Sequence, residues 1–413
     1  MVVNPKRVVV TGFGAITALG NDWNSVGAAL RERRTATRRM PAWSEFDGLL
    51  TQLGAPVPDF EKPAHYTRKQ TRSMGRVALM ATRASELALE NAGLLGSPEV
   101  CDGSMGIAYG SCSGSSEAMV NFSKMLLNNS TRTIGATTYV ELMSHTAAVN
   151  IGVFFGMRGR IIPTASACTS GSQGVGYAYE AIRYGRQKMM LAGGGEELCP
   201  SQAAVFDTLY ATSQMNDHPE RAPRPFDRDR DGLVIGEGAC TLVLEELEHA
   251  QARGATIYAE IVGFATNSDG QHITQPSSET MRVVMQQALD DAGVPASAIG
   301  YVNAHGTATE QGDIAETQAT SAVFGSAKPI SSLKSYFGHS LGACGAIEAW
   351  LTIEMMNRGW YAPTVNLDNI DPRCGELDYL TGNGREFDSE YTVSNNFAFG
   401  GINTSLVFKR WGG

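Results

Sequence analysis

Strand-like and helix-like segments alternate through both halves of the chain, and this alternation is the strongest constraint on its fold. Short apolar runs that end in glycine-rich turns indicate buried strands, and apolar residues spaced three and four apart indicate helices. Strands are predicted over 7–11, 105–111, 188–197, 240–245, 257–265, 301–304, 391–394 and 403–409. Helices are predicted over 21–34, 66–92, 281–293 and 343–356. The pattern predicts an α/β fold, and 413 residues suit two domains or one large duplicated one.

Charge and cysteine content narrow the classes of function. The net charge of −9 argues against general nucleic-acid binding, which needs a basic surface. The seven cysteines show neither CxxC pairs nor the Cys/His spacing of a metal site. Because no secretory signal is visible at MVVNPKRVVV, free thiols in a reducing cytoplasm are expected. No apolar run approaches transmembrane length, so no membrane span is expected.

Residues 160–185 place a cysteine at a predicted strand-to-helix corner. Ile161 leads through small residues to Cys168, and a helical pattern with Val175 and Ile182 on one face follows. Unpaired backbone N–H groups and the helix dipole at such a corner favour a thiolate, so a lowered thiol pKa is expected. From this stretch alone two interpretations stay open, a nucleophile and a buried structural cysteine.

Two ligand-binding motifs are incomplete. GFGAIT, starting at Gly12, resembles half of a dinucleotide-binding fingerprint, but Thr17 stands where the third glycine belongs. FDRDRDG, starting at Phe226, resembles a calcium loop, but Gly238 stands where the bidentate glutamate belongs. We therefore expect neither NAD nor calcium to bind, and we predict no metal site.

A basic stripe lies on the predicted 66–92 helix. Arg68, Arg72 and Arg76 recur every four residues, with Lys69 beside them, in a chain that is acidic overall. The ordinary explanation is a solvated helix face. The functional one is a docking site for an acidic partner.

Two histidines of the second half lie in glycine-rich turns at predicted strand ends, His305 in NAHGTAT and His339 in KSYFGHSLGACG. A lone histidine is most often structural, but two such turns together with a cysteine at a helix start indicate a catalytic site. Lys334 and Glu348 can fix the orientation of an imidazole, or can form a plain buried ion pair. The turn in NNFAFGGIN offers glycine N–H groups for an oxyanion hole.

Four motifs in this order resemble the β-ketoacyl-ACP synthases, the condensing enzymes of fatty-acid and polyketide synthesis in the thiolase-like superfamily. They are PTASACTSGS around Cys168, NAHGTAT around His305, KSYFGHSLGACG around Lys334 and His339, and NNFAFGGINTSLVF near the end. The resemblance covers nearly the whole chain and is greatest to the I/II type, especially type II. It implies a duplicated thiolase-like fold in five αβαβα layers.

The resemblance also implies how the chain is divided and assembled. An N-terminal half, 1–253, would carry the nucleophilic cysteine, and a C-terminal half, 254–413, would carry both histidines. The family is typically a homodimer, and a heterodimer with a related subunit is the alternative. Its partners are the acyl carrier protein (ACP) in the acyl-ACP and malonyl-ACP forms, and no cofactor is implied beyond the phosphopantetheine arm that the ACP carries.

The implied reaction is a ping-pong decarboxylative Claisen condensation. Cys168 would take an acyl group from acyl-ACP as a thioester. Malonyl-ACP would then lose CO₂, with His305 and His339 neutral and donating N–H to the enolate oxygen. The backbone N–H groups of Cys168 and Phe399 would hold the tetrahedral oxygen as the carbanion attacks.

Further residues match the family at supporting positions. Lys334 and Glu348 match the pair that holds the environment of the histidines. Positions that contact the substrate or its arm are matched by Phe206, Thr307, Thr309, Phe397 and Gly400. Positions that face the acidic carrier protein are matched by Arg68, Lys69, Arg72 and Arg132. These last matches strengthen the docking interpretation of the basic stripe.

The chain departs from the family along the acyl tunnel. Ser113 aligns with a bulky aliphatic residue, and Thr137 and Thr138 align with two phenylalanines of the partner-subunit loop. Tyr210 replaces an arginine, which puts one carrier contact in doubt. Smaller and more polar tunnel residues would admit a longer, stiffer or more unsaturated chain. We therefore favour a polyene or polyketide pathway over housekeeping fatty-acid elongation.

Three related functions fit less well. A non-catalytic chain-length factor, which shapes the tunnel of a partner, usually lacks the nucleophile and degrades the histidine turns, yet all are present here. A thiolase would carry a second catalytic cysteine in the turn that reads FAFGGIN. The CoA-dependent initiating synthases use a Cys-His-Asn set, and His339 argues against them.

Overall fold

A computed structural model describes residues 5–412, and the outermost residues of the two predicted halves, 1–4 and 413, lie outside the described residues. In the described range the strands β1–β16 are Val8–Thr17, Arg38–Arg39, Leu53–Ala55, Met105–Gly110, Ile161–Thr164, Met189–Glu196, Ile235–Gly236, Gly238–Glu246, Ala259–Ser268, Ile299–Asn303, Pro329–Ser331, Trp360–Tyr361, Asp378–Tyr379, Arg385–Glu386, Tyr391–Ala398 and Ile402–Arg410. The predicted strands are all found, with ends shifted by a few residues, and the α/β fold is confirmed.

Helices connect these strands in both halves. Over the same range the helices α1–α13 are Trp23–Arg31, Arg68–Thr71, Arg76–Asn91, Ser116–Asn128, Thr138–Leu142, Thr146–Phe155, Ser170–Arg183, Pro200–Asp207, Leu247–Ala252, Ser278–Ala292, Glu310–Phe324, Lys334–Phe337 and Cys344–Arg358. None of the helices in residues 5–412 is long and apolar enough to cross a membrane.

The prediction of one continuous helix over 66–92 is wrong, because the structure has two helices in this stretch. Thr67 starts α2 with a capping box to Gln70, and α2 ends at Thr71. Gly75, in an extended conformation, is the N-cap of a new helix, α3. Arg76 therefore leaves the basic stripe and forms a 2.8 Å ion pair with Glu237.

Eleven strands of the described chain form one mixed sheet, and its strand order repeats. The order is β13-β11-β10-β15-β16-β9-β1-β8-β6-β4-β5. The two halves of the sheet meet where β1 pairs with β9. Outward from this junction the first half runs β1-β8-β6-β4-β5 and the second runs β9-β16-β15-β10-β11. In each half these are the first, last, penultimate, second and third strands of that half-sheet in chain order. In both halves the first two pairings are antiparallel and the next two are parallel. This repeat is the duplication that the resemblance implied.

The first strand of each half packs against a helix in the same way. A Cβ atom on Gly12 of β1 would lie 2.8 Å from the Cβ atom of Ala92, just after α3. A Cβ atom on Gly263 of β9 would lie 2.8 Å from the Cβ atom of Ala292, at the end of α10. Each strand also shifts register at the residue before this glycine. Close approach of backbone to helix thus needs glycine at both equivalent positions.

Helices cover both faces of each half-sheet. The outer face of the first half-sheet packs against α3 and α6, and that of the second against α10 and α11. Between the two half-sheets lie α7 and α13, whose Tyr179 and Leu351 belong to the largest apolar core. The order of layers is therefore αβαβα, as the family resemblance implied. The proposed division between 253 and 254 lies between α9 and β9 and stays a prediction.

These layers bring distant parts of the chain to one place. Cys168 immediately precedes α7, His305 follows β10, and His339 lies between α12 and α13. Because α7 and α13 pack against each other in the central layer, the N-terminal ends of both helices meet at the same end of the sheet.

Candidate active site

Cys168 lies in a short 3₁₀ turn, Ala167–Thr169, between β5 and α7. Its side chain is buried, with 3% of the residue exposed. The preceding Ala167 has φ of 50°, a left-handed conformation that side chains other than glycine rarely adopt. Such strain is typical of functional turns, because the surrounding structure must hold the residue in place.

The expectation of a lowered thiol pKa is wrong. Burial raises the pKa of Cys168 to about 11, although the backbone N–H groups of Phe399 and Cys168 and the charge of Lys334 oppose this. Loss of hydration therefore outweighs the positive end of α7. Near pH 7 Cys168 is therefore a thiol, and a base would have to remove its proton before or during any attack by Sγ.

His339 occupies the position of such a base. Its Nε2 atom lies 2.9 Å from Sγ of Cys168. The ring of His305 stands nearly perpendicular to that of His339, with the centroids 5.1 Å apart. Burial, followed by the charge of Lys334, lowers the pKa of both histidines well below its ordinary value. Both imidazoles are therefore neutral near pH 7, and each has one N–H and one free lone pair.

A buried ion pair lies behind the histidines. Lys334 Nζ contacts Glu348 Oε1, and the two side chains are 2% and 3% exposed. Burial opposes a charge on Lys334, but its partners Cys344 and Glu348 outweigh burial and raise the pKa of Lys334. The other carboxylate oxygen of Glu348 accepts a 2.6 Å hydrogen bond from Nδ2 of Asn396. The predicted Lys–Glu pair therefore forms, and it includes an amide partner.

The turn that carries His305 is anchored by a second buried carboxylate. The backbone N–H groups of His305 and Gly306 each donate a 2.7 Å hydrogen bond to Glu316 of α11. Asp313, one helical turn earlier, accepts from the N–H of Ala308 at 3.1 Å. Two acids on one face of α11 thus hold the histidine turn in a single conformation.

A cavity of about 430 Å³ opens onto Cys168, His305 and His339. Sγ of Cys168 and one nitrogen of each histidine all lie within 4.8 Å of one another. The other predicted residues that line this cavity are Phe206, Thr307, Thr309, Phe397 and Phe399. The rings of Phe206 and Phe399 meet edge to face, with 6.0 Å between centroids.

The remaining predicted substrate residues lie outside this lining. Ser113 receives a 3.4 Å hydrogen bond from Nε2 of Gln202. Thr137 donates to the backbone oxygen of Arg72 at 3.1 Å, and Thr138 accepts from Gly135. Gly400 is exposed and donates its N–H to the backbone oxygen of Ile273 at 2.9 Å. Their contacts with substrate stay predictions.

The arrangement agrees with comparisons to known proteins. The family described as "Beta-ketoacyl synthase, N-terminal domain" matches residues 5–250, and "Beta-ketoacyl synthase, C-terminal domain" matches residues 258–368. The chain belongs to the β-ketoacyl synthase family. The family resemblance read from the four motifs is therefore confirmed.

Known proteins are similar to this synthase over nearly its whole length, in sequence and in structure. It is 37% identical to 3-oxoacyl-[acyl-carrier-protein] synthase 2 of Vibrio cholerae, over 99% of this chain and 100% of the relative. A crystal structure of a β-ketoacyl synthase from Burkholderia phymatum STM815 is 61% identical, with a TM-score of 0.97 over 98% of this chain and 100% of that one. The ishigamide ketosynthase/chain length factor is 32% identical, with a TM-score of 0.89 over 99% and 100%.

Sequence reasoning missed three buried polar residues around the reacting groups of this synthase: Glu196, Glu316 and Asn396. Glu196, at the end of β6, accepts from the N–H groups of Cys112 at 2.7 Å and Gly342 at 3.3 Å. Burial raises the pKa of Glu196 to about 7. The available signal was a glutamate inside an apolar strand, GGGEE, since an acid there must be hydrogen-bonded.

The raised pKa of Cys168 predicts how the thiol reacts with iodoacetamide. Because only the thiolate reacts, the alkylation rate of Cys168 should rise about tenfold per pH unit between pH 7 and pH 10. Peptide mass spectrometry of timed samples measures this rate, and Cys168→Ala identifies the peptide. A rate that levels off near pH 8 would contradict the raised pKa.

Proposed function

We propose that the protein is a β-ketoacyl-[acyl-carrier-protein] synthase in which Cys168 carries the acyl chain and two neutral histidines promote decarboxylation. The observation that carries this proposal is the 2.9 Å contact between Sγ of Cys168 and Nε2 of His339, beside His305 in one cavity. The name of the Vibrio cholerae relative states the same activity.

In the first half-reaction Cys168 attacks the thioester carbonyl of acyl-ACP. The Sγ proton passes to Nε2 of His339 and then to the leaving sulfur of the phosphopantetheine arm, so the C–S bond to the arm breaks as that to Cys168 forms. The backbone N–H groups of Cys168 and Phe399, which face Sγ, support a role as the oxyanion hole. Loss of one such donor typically raises the barrier by about 3 to 4 kcal/mol.

In the second half-reaction malonyl-ACP replaces the free carrier. Its C–CO₂ bond breaks, CO₂ leaves, and the electron pair forms an enolate whose charge develops on the thioester oxygen. The neutral N–H group of His305 stabilises that oxygen, and so does that of His339 once its own proton has moved from Nδ1 to Nε2. The enolate carbon then attacks the acyl carbonyl, and the C–S bond to Cys168 breaks to release β-ketoacyl-ACP and a thiolate that regains its proton from solvent.

Two threonines of the cavity support a phosphopantetheine arm as the group that binds there. Thr307 and Thr309 line the cavity with hydroxyl groups 2.9 Å apart, which suits the amides of a phosphopantetheine arm. We expect no cofactor other than this arm.

All seven cysteines, which lie in the described range, are free thiols. This supports the predicted cytoplasmic location, because an oxidising compartment favours disulfides.

We assign the synthase to a specialised pathway that builds a polyene or polyketide-type chain. The alignment of Ser113, Thr137 and Thr138 with larger apolar family residues supports this, since smaller and more polar side chains would admit a stiffer or more unsaturated chain. The similarity to the ishigamide ketosynthase/chain length factor supports it further. A non-catalytic chain-length-factor role has less support, because a tunnel-shaping subunit does not need Cys168 and His339 in contact.

The carrier protein docks, in this proposal, on Arg68, Lys69, Arg72 and Arg132. All four side chains belong to exposed residues. The hydrogen bond from Thr137 to the backbone of Arg72 ties the loop that follows Arg132 to the segment after α2. An acidic partner suits this basic surface on a chain with a net charge of −9.

We propose a homodimer that forms along β5. This strand is an edge of the sheet, so its outer backbone groups are unpaired within the chain. The helix α6, which packs beside β5, exposes Val153 at 73%, and α4 exposes Leu127 at 81%. An exposed apolar surface beside an open edge favours pairing with a second copy.

Acyl transfer to Cys168 is the first test of the function. Intact-protein mass after incubation with acyl-ACPs should show one acyl group on the wild type and none on Cys168→Ala. Malonyl-ACP should then release CO₂ and extended product, with the highest rate for long or unsaturated chains. His305→Ala should keep acylation but lose about 100-fold or more of the CO₂ release.

Failure of a folded wild-type protein to be acylated by any chain would contradict catalysis by this protein alone. It would favour the tunnel-shaping role or an obligatory partner. A preference for short saturated chains would instead contradict the specialised pathway and leave the reaction itself supported.

Charge reversal at Arg72 tests the docking surface. Arg72→Glu should raise the KM for acyl-ACP about two- to fivefold at low salt, because one exposed ion pair contributes up to about 1 kcal/mol. The difference should shrink as salt increases. Acylation by a small acyl-pantetheine thioester should not change, and Arg186→Glu, at another exposed arginine, serves as the matched control. Equal effects of both variants would argue against this surface.

Sedimentation velocity tests the dimer. The wild type should sediment as a dimer of 44.1 kDa chains, and Val153→Glu should shift it toward monomer by placing a charge in the interface. Ile370→Glu, which alters an apolar residue of 48% exposure elsewhere, is the control. A monomer that pairs only with an added ketosynthase-like subunit would favour the heterodimer.

A further inference from the structure

Four buried side chains form a continuous polar chain that ends at His305. Lys334 contacts one oxygen of Glu348, and Asn396 Nδ2 donates to the other at 2.6 Å. The same Nδ2 group lies 3.4 Å from Nδ1 of His305. All four residues are at most 6% exposed, so the groups interact without competition from bulk water.

The orientation of the Asn396 amide follows from its neighbours. With Nδ2 toward Glu348, a donor faces a carboxylate that already binds an ammonium group. The flipped amide would place two oxygen atoms 2.6 Å apart, which charge repulsion disfavours. In the favoured orientation Oδ1 of Asn396 faces Gly345 of α13, where an added Cβ atom would lie only 2.8 Å from it.

This orientation decides where His305 carries its proton. The ring is neutral, so one nitrogen bears hydrogen and the other accepts. Because Asn396 presents an N–H group to Nδ1, that nitrogen must be the acceptor, and the hydrogen lies on Nε2 at the opposite side of the ring. His305 lines the cavity, so this N–H is the one available to a substrate oxygen.

His339 differs from His305 in this respect. Its Nε2 atom contacts Sγ of Cys168, and its Nδ1 atom has no hydrogen-bond partner among residues 5–412. The tautomer of His339 is therefore not held by a neighbour, which suits a ring that accepts and returns a proton. The surroundings therefore fix the tautomer of His305 and leave that of His339 free.

We propose that Asn396 is a positioning residue that holds His305 as the Nε2–H tautomer, and so supplies a fixed N–H donor to the enolate oxygen in the condensing half-reaction. The proposal rests on the proposed function and extends it. Asn396 does not line the cavity. It acts through His305, and Glu348 and Lys334 act through Asn396.

The two half-reactions should respond differently to loss of this amide. In Asn396→Ala, acyl transfer to Cys168 should stay within about threefold of wild type, because His339 and the oxyanion hole are unaltered. Release of CO₂ from malonyl-ACP should fall about 10- to 100-fold, the loss typical when the partner that orients a metal-binding imidazole is removed. Asn395→Ala, whose amide on the same strand contacts Met285 instead, is the matched control.

The Asn396→Asp variant should give a pH dependence of CO₂ release that a merely structural role of Asn396 would not produce. A carboxylate accepts hydrogen from Nδ1 and favours the opposite tautomer, which leaves a lone pair on Nε2 facing the enolate. Release of CO₂ should be lower than in Asn396→Ala at pH 8. It should recover as pH falls, because protonated His305 donates from both nitrogens. Nearby ionisable groups that can shape this profile are Lys334, His339, Glu348, Glu316, Cys168 and Cys344.

A third measurement needs no variant of Asn396. With ¹⁵N-labelled histidine, the ring nitrogen shifts of His305, assigned by their loss in His305→Ala, should show a protonated Nε2 and an unprotonated Nδ1. The opposite assignment would overturn the proposal. Equal losses in both half-reactions for Asn396→Ala, or identical pH profiles for the Ala and Asp variants, would overturn it too.

The outcomes separate this inference from the function on which it rests. If wild type is not acylated or releases no CO₂, the proposed function fails. If wild type is active and Asn396→Ala keeps its CO₂ release, only the role of Asn396 fails.

Discussion

The buried ion pair between Lys334 and Glu348 underlies the whole site. An unpaired charge at such depth would cost several kcal/mol, so the two elements that carry the pair must stay in place relative to each other. The positive charge of Lys334 helps to keep both histidines neutral. The free oxygen of Glu348 orients Asn396. One electrostatic interaction therefore affects the protonation of both histidines and, in our proposal, the tautomer of His305.

Duplication of the fold explains why the proposed reacting groups come from both halves of the chain. Each half has the same strand order and the same glycine contact between its first strand and a helix. The inner helices α7 and α13 occupy equivalent layers and pack together. Cys168 at the start of one and His339 just before the other therefore meet, although 171 residues separate them in sequence.

Much of the fold and the core of the site could be predicted from local sequence. Apolar periodicity located eight strands of the main sheet and the helices α1, α7, α10 and α13. The four motifs located Cys168, His305, His339 and Lys334, which the structure brings together. The helix over 66–92 was predicted as continuous because periodicity does not register the backbone break at Gly75. Asn396 and Glu316 were missed, because their roles depend on partners 48 and 10 or more residues away.

The sequence by itself determined which chemical groups are present and which local turns carry them, since helix starts, glycine turns and strand ends are set by neighbouring residues. Only the tertiary structure decided how those groups are charged and aimed. Burial reversed the expected shift of the Cys168 pKa, and contacts across the central layer set the orientation of Asn396. The physical reason is that desolvation and hydrogen bonding depend on everything packed around an atom, and most of that lies far away in the chain.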